Sequence, residues 1–165
     1  MELRATRTPV PALLLRGAGA GLLATVAMSG VMLAARRLGL TPTLPPERIV
    51  QEGAEAASAP AEPGQIDALA TMAHFGFGAA GGAVLAAASR LIGLRLSAAL
   101  ALPWALVIWA GSYFGWVPAL NILPPPPRDH PGRAWTMLVA HLVYGVSLAA
   151  LWRLGGRGGR ACPAW

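Results

Sequence analysis

The chain is 165 residues long, room for one domain or one small helical bundle. Hydrophobic residues make up 55% of it and charged residues 12%, about half the charged share of an ordinary soluble domain, with a formal net charge of +6. This balance argues against a disordered chain and an ordinary water-soluble enzyme, and points to a protein whose solvent is partly lipid.

In chain order, residues 1–16 form a short basic tail with Arg4, Arg7 and Arg16. The first apolar run, 17–35 (GAGAGLLATVAMSGVMLAA), is long for the core of a secretory signal, and the Arg36-Arg37 pair follows where a small-residue cleavage site would be needed. Residues 36–67 are rich in Pro, Ala and Glu. Within them Pro46 and Glu47 suit the first turn of a helix, which predicts a short helix in PPERIVQEGAEAAS. The second and third apolar runs, 68–89 and 96–116, are separated by a short link bearing Arg90 and Arg95. Residues 117–133 contain four consecutive prolines, predicted to form a stiff, extended connector on the membrane surface. The fourth run, 134–152, leads to a basic tail, 153–165, whose single Cys162 has no partner for an intrachain disulfide.

None of the four runs contains Asp, Glu or Arg, and the chain has no Lys. Each approaches or exceeds the roughly twenty residues that cross a bilayer as a helix. Lipid offers the backbone no hydrogen-bond partners, so such runs occur as helices. Trp116, Trp135 and Trp152 stand near span ends, where indole rings favour the interface. The expected fold is an all-α integral membrane protein, four transmembrane helices in a compact bundle occupying residues 17–152. Four spans put both tails and the 90–95 link on one side, with eight arginines against five on the other. The positive-inside rule then places both termini in the cytoplasm. The basic excess reads as a topology signal, and no nucleic-acid partner is expected.

Two of the three histidines lie inside spans, in matching frames: AHFGFG around His74 and AHLVYG around His141. Ahead of each, the chain reads Gly-x-x-Pro and then Leu-Pro-Pro, from Gly39 and from Gly115. This order predicts a tandem two-helix repeat, with its axis along the membrane normal, Gly39 equivalent to Gly115 and the two histidines level with each other. Gly17 and Gly21 in the first span, Gly78 and Gly82 in the second, and Gly145 in the fourth are candidate helix-packing positions, because small residues four apart let helices approach closely in lipid.

An ionisable residue inside a span is a functional candidate by default. His74 and His141 have a bland reading as interhelical hydrogen-bonding groups and three sharper ones. They could ligate a haem iron, bind a divalent metal together with His130 and Asp129, or relay protons or line a small-solute path. No catalytic residue is assigned: the chain has no Walker loop, no His-Glu-x-x-His and no nucleophile elbow. The expected mode of action is through contacts with membrane lipid, with a second copy of the chain or with another membrane protein.

The layout of GLLATVAMSGVMLAARRLGL leading to LPPERIV, then AHFGFGAAGGAV and finally AHLVYGVSLAAL, resembles the uncharacterised small bacterial inner-membrane proteins typified by YagU. That resemblance implies four helices in a bacterial inner membrane and brings no activity or cofactor. Phe77 stands where the second copy has Tyr144, so a phenolic hydroxyl cannot serve both halves alike.

Overall fold

The computed structural model describes residues 8–155 apart from Pro42 and Pro60. Arg4, Arg7, Arg157, Arg160 and Cys162 lie outside the described residues. Those described form helices, turns and loops without a strand. The helices are α1 (Val10–Arg37), α2 (Pro45–Ala56), α3 (Pro63–Leu91), α4 (Ala98–Ala119) and α5 (Pro131–Gly155). All but α2 are long and apolar enough to cross a membrane. They overrun the apolar runs of the sequence because a helix continues through its polar ends: α1 starts seven residues before Gly17, and α3 five residues before Ala68. Proline at the first or second position opens α1, α2 and α3, where its missing N–H costs nothing.

Three of the long helices end alike. After α1, α3 and α4 come Leu38-Gly39-Leu40, Ile92-Gly93-Leu94 and Leu120-Asn121-Ile122. The central residue has positive φ (70° at Gly39, 71° at Gly93, 57° at Asn121), and the amide of the residue after it reaches back five positions to a helix carbonyl. Glycine and asparagine tolerate this left-handed geometry, which caps the last carbonyls. The equivalence of Gly39 and Gly115 expected from the sequence is therefore corrected. Gly39 ends α1, whereas Gly115 sits inside α4, and it is Asn121 that ends α4 as Gly39 ends α1.

Packing is inside out relative to a soluble bundle. Ala20, Ala24, Ala86, Ala101, Ala105 and Ala140 are buried, while Leu22, Leu23, Val26 and Leu33 on α1 face outward. Where the surroundings are as apolar as leucine, close approach of small residues holds helices together. The α1–α3 seam is the tightest. A Cβ added at Gly17, Gly21, Gly78 or Gly82 would collide with backbone or side-chain atoms of the facing helix, including the Gly78 carbonyl and the Thr25 hydroxyl. Gly145 on α5 plays the same part toward α4, where an added Cβ would meet the Ala101 carbonyl at 3.0 Å and the Ala105 methyl at 3.1 Å. The helix pairs α1–α3 and α4–α5 thus each close over a glycine that lies four residues after a histidine.

The likeness between the pairs stops at the cross-contacts. α1 packs along α5, whereas α3 and α4 touch at few points. Two hydrogen bonds hold α3 here: across the open seam Trp104 Nε1 of α4 donates to the Gly81 carbonyl at 3.0 Å, and from α5 the Tyr144 hydroxyl donates to the Gly78 carbonyl at 2.7 Å. The short helix α2, expected from Pro46 and Glu47, is present. It packs on α3, and its Ile49 packs against Val117, Ile122 and Leu123 at the end of α4. Glu47 anchors the start of α2 by pairing with Arg36 at 2.6 Å and accepting from the Leu44 amide.

The proline-rich connector departs from the extended form expected of it. Pro126–Arg128 close a single 3₁₀ turn, with the Arg128 amide donating to the Pro125 carbonyl at 2.8 Å. Proline's fixed φ near −65° suits that turn as well as an extended segment, and prolines followed by a residue with a free N–H can close one.

Candidate functional site

The open seam between α3 and α4 contains a cavity of about 200 Å³. Every long helix contributes a wall: Met28 and Met32 from α1, His74 and Phe77 from α3, Trp109 and Tyr113 from α4, Met137 and His141 from α5. Pro45, Pro46 and Ile49 of α2 close one end as a roof.

Local features of α4 aim its aromatic residues inward. Pro118 lacks an N–H, and its ring would collide with the carbonyl of Phe114 four residues earlier. The helix answers with a π-helical stretch, Gly111–Trp116, in which Gly115 leaves helical geometry at φ −103° and ψ −109°. Such π turns add a residue to the repeat and re-aim the side chains beyond it. Trp109 and Tyr113 stack with ring centroids 5.9 Å apart, forming one wall of the cavity. The sequence reading missed this wall. Its signal was present as Trp109, Ser112, Tyr113 and Trp116, one helical face of residues that all line the cavity.

The structure brings His74 and His141 into the same cavity, eleven residues past Pro63 and ten past Pro131 respectively, so both enter from corresponding depths. Their hydrogen bonding differs. His141 Nδ1 lies 2.7 Å from the carbonyl of Met137, one turn back on its own helix. A carbonyl only accepts, so Nδ1 carries the proton and the opposite nitrogen, Nε2, keeps a lone pair. His74 Nε2 is buried and has no hydrogen-bond partner among the described residues, and the same is true of Trp109 Nε1. Two of the residues that line this largely apolar cavity thus each hold a buried, unsatisfied ring nitrogen.

Asp129 and His130 lie elsewhere, just before α5. Asp129, whose side chain is 1% exposed, pairs with Arg133 and accepts from the Tyr113 hydroxyl at 3.1 Å and from the His130 amide at 2.7 Å. His130 is exposed, and its Nδ1 accepts from the Gly132 amide. Both line a second, polar depression, of about 310 Å³, rather than the cavity that holds His74 and His141. The four-residue metal set of the sequence reading is thereby split in two. Among the described residues no three His, Cys, Asp or Glu side chains come together to hold a metal ion. The residues that do come together are an imidazole pair, two unpaired polar atoms and aromatic walls, an arrangement suited to enclosing an uncharged, mostly apolar group that carries an oxygen acceptor.

No curated protein and no solved structure matches the chain. A family model described as a family of unknown function (DUF6789) matches residues 12–157, nearly the whole described chain, and the protein belongs to that family.

Proposed function

We propose that this protein is a non-enzymatic, multi-pass membrane protein that binds a lipid-soluble molecule in the seam between α3 and α4. The observation that carries this reading is the largely apolar cavity itself, two of whose lining residues, His74 and Trp109, each keep a buried ring nitrogen without a hydrogen-bond partner among the described residues. A buried polar group left without a partner costs about 1–3 kcal/mol. An ester, ketone or hydroxyl oxygen that reached the indole or the imidazole from the cavity, with a small shift of the ring, would remove that cost. An apolar cavity of about 150 Å³ already accommodates benzene. About 200 Å³ takes a ring or a short stretch of chain, and the few contacts between α3 and α4 leave room for the remainder to continue into lipid.

A haem with two axial imidazoles is a less suitable occupant. The volume lies under the range of about 300–1,000 Å³ typical of cofactor-sized sites, and the Met137 carbonyl already orients His141. The setting we propose is a bacterial inner membrane, as for the YagU-type proteins that the sequence resembles. Both termini face the cytoplasm in accordance with the arginine distribution, and a second copy of the chain or another membrane protein remains the other class of partner.

The binding reading is tested by filling the cavity. Ala73 lines it on the exposed side of α3, so Ala73→Trp adds bulk there without disturbing a buried contact. Protein purified in mild detergent should carry a lipid-soluble compound detectable by mass spectrometry, at least tenfold depleted in the variant at equal stability. Equal content in both proteins, or none in either, would sink the proposal. For orientation, single cysteines at Ser58 and Ala161 in a Cys162→Ser background should be labelled by an impermeant thiol reagent on intact cells with a permeabilised outer membrane at 58 alone.

A further inference from the structure

The polar depression before α5 has no part in the reading above, and its composition is unlike the rest of this face. Three guanidinium groups, Arg48 of α2, Arg128 of the 3₁₀ turn and Arg133 of α5, line it together with His130, Thr43 and the carboxylate of Asp129, while a second carboxylate, Glu52, and Gln51 bond Arg48 from outside the lining. Arg133 is 6% exposed, and its Nε has no hydrogen-bond partner among the described residues. Only its Nη1 is committed to Asp129. Arg48 is shared with Glu52 at 2.6 Å, while Arg128 has no carboxylate partner among the described residues. A buried guanidinium whose Nε is unpaired, beside an exposed Arg128 whose side chain has no hydrogen-bond partner among the described residues, is an arrangement that suits an anion. Arginine's planar fork matches phosphate oxygens in particular.

The depression and the cavity adjoin. Leu123 lines both, and Tyr113, in the wall of the cavity, donates its hydroxyl to Asp129 in the wall of the depression. One amphiphilic molecule can therefore meet both surfaces, with its anionic end at the arginines and its apolar part between α3 and α4.

We infer that the depression lined by Arg48, Arg128 and Arg133 binds a phosphate group, and that this phosphate is the headgroup of a glycerophospholipid whose acyl region occupies the cavity. The inference rests on the lipid-binding reading and names the class of lipid. The ester carbonyls of such a lipid are acceptors of the kind that His74 and Trp109 lack. Its phosphate supplies the charge that an uncharged lipid-soluble molecule would not.

The test compares three probes on full-length protein in dodecyl maltoside, each titrated against thermal unfolding: dioleoyl phosphatidic acid, dioleoylglycerol with the same chains and no phosphate, and inorganic phosphate alone. Phosphatidic acid should bind on the order of tenfold more tightly than dioleoylglycerol, as expected when charge-assisted hydrogen bonds to one group are added. Arg128→Gln and Arg48→Gln together should remove that preference, leaving dioleoylglycerol affinity unchanged. These two side chains are chosen because Arg133 is tied into a buried pair whose loss would disturb the fold. Inorganic phosphate should bind far more weakly than phosphatidic acid. Equal affinity for the two lipids overturns the headgroup site and leaves the lipid-binding reading standing. Affinity for neither lipid overturns the glycerophospholipid assignment, and the mass-spectrometric comparison with Ala73→Trp then decides the lipid-binding reading separately. Inorganic phosphate binding as tightly as phosphatidic acid would identify the free anion as the ligand and overturn the lipid assignment.

Discussion

The α1–α3 seam and the α3–α4 seam share a helix and differ in almost everything else. Toward α1, α3 presents Gly78 and Gly82, and α1 answers with Gly17, Gly21 and the compact Thr25, so backbones meet. Toward α4, α3 presents His74, Phe77 and Gly81, and α4 answers with Trp104, Trp109 and Tyr113, so backbones are held apart by rings. Close approach in lipid requires small residues on both partners. Where one partner is aromatic the helices stand off, and the remaining space is a cavity whose polar atoms look for a guest. In a symmetric arrangement the α3–α4 contact would match that of α1 with α5. The α3–α4 contact is instead sparse, and the bond from Tyr144 on α5 to Gly78 on α3 has no counterpart from Phe77, which is 52% exposed and has no hydroxyl.

The contrast can be broken first at the closed seam. Gly21→Leu would drive a side chain into the Gly78 carbonyl, and backbone atoms on both sides leave it nowhere to go. Overpacking of this kind costs typically about 1–3 kcal/mol and more where the backbone blocks relaxation. The variant should fail to give monodisperse protein on size-exclusion chromatography in detergent, whereas Gly19→Leu, on a face with open space, should behave as wild type.

At the mouth of the open seam, Asp129→Ala should cost about 3 kcal/mol, the usual loss when one partner of a buried ion pair is removed and the other stays. Arg133 would lose its counter-ion and Tyr113 its acceptor. Chemical unfolding monitored by helix signal measures this; a loss below about 0.5 kcal/mol would mean that the pair is solvated.

Tyr144→Phe removes the bond to Gly78, for an expected loss of about 1 kcal/mol, in keeping with interhelical hydrogen bonds in membranes. Trp104→Phe should cost a similar amount through Gly81. Losses that add in the double variant would show that the two bonds tether α3 independently of each other.

The smallest effect on stability should come from His74→Leu. Replacing a buried polar atom that has no protein partner by an apolar group is nearly neutral or slightly stabilising in ligand-free protein. The proposed lipid content should fall in the same samples. A destabilisation above about 1 kcal/mol with lipid content unchanged would mean that the imidazole is structural.

Much of the fold could be read from the chain because membrane solvation acts on each helix separately. Long uncharged runs must be helical in lipid wherever they pack, and helix ends are governed by local residues: Pro45 and Glu47 at the start of α2, Gly39 and Asn121 in left-handed caps. Repeat register was less legible. Gly39 follows the end of α1 whereas Gly115 lies inside α4, because that helix continues through a π-helical stretch to Ala119 instead of ending at its glycine.

The sequence by itself determined the four apolar helices, the short roof helix, the paired settings of His74 and His141 and the small-residue faces, since each follows from a run, a cap or a spacing within one segment. Only the tertiary structure decided which faces meet. It put His74 and His141 in one cavity, set Asp129 and His130 in another, joined Arg48, Arg128 and Arg133 from three separate elements, and left His74 Nε2 and Trp109 Nε1 without partners among the described residues. Those outcomes depend on helix rotation and on which neighbours stand close, and a side chain's partners across a seam belong to the packing of whole helices rather than to any stretch of chain.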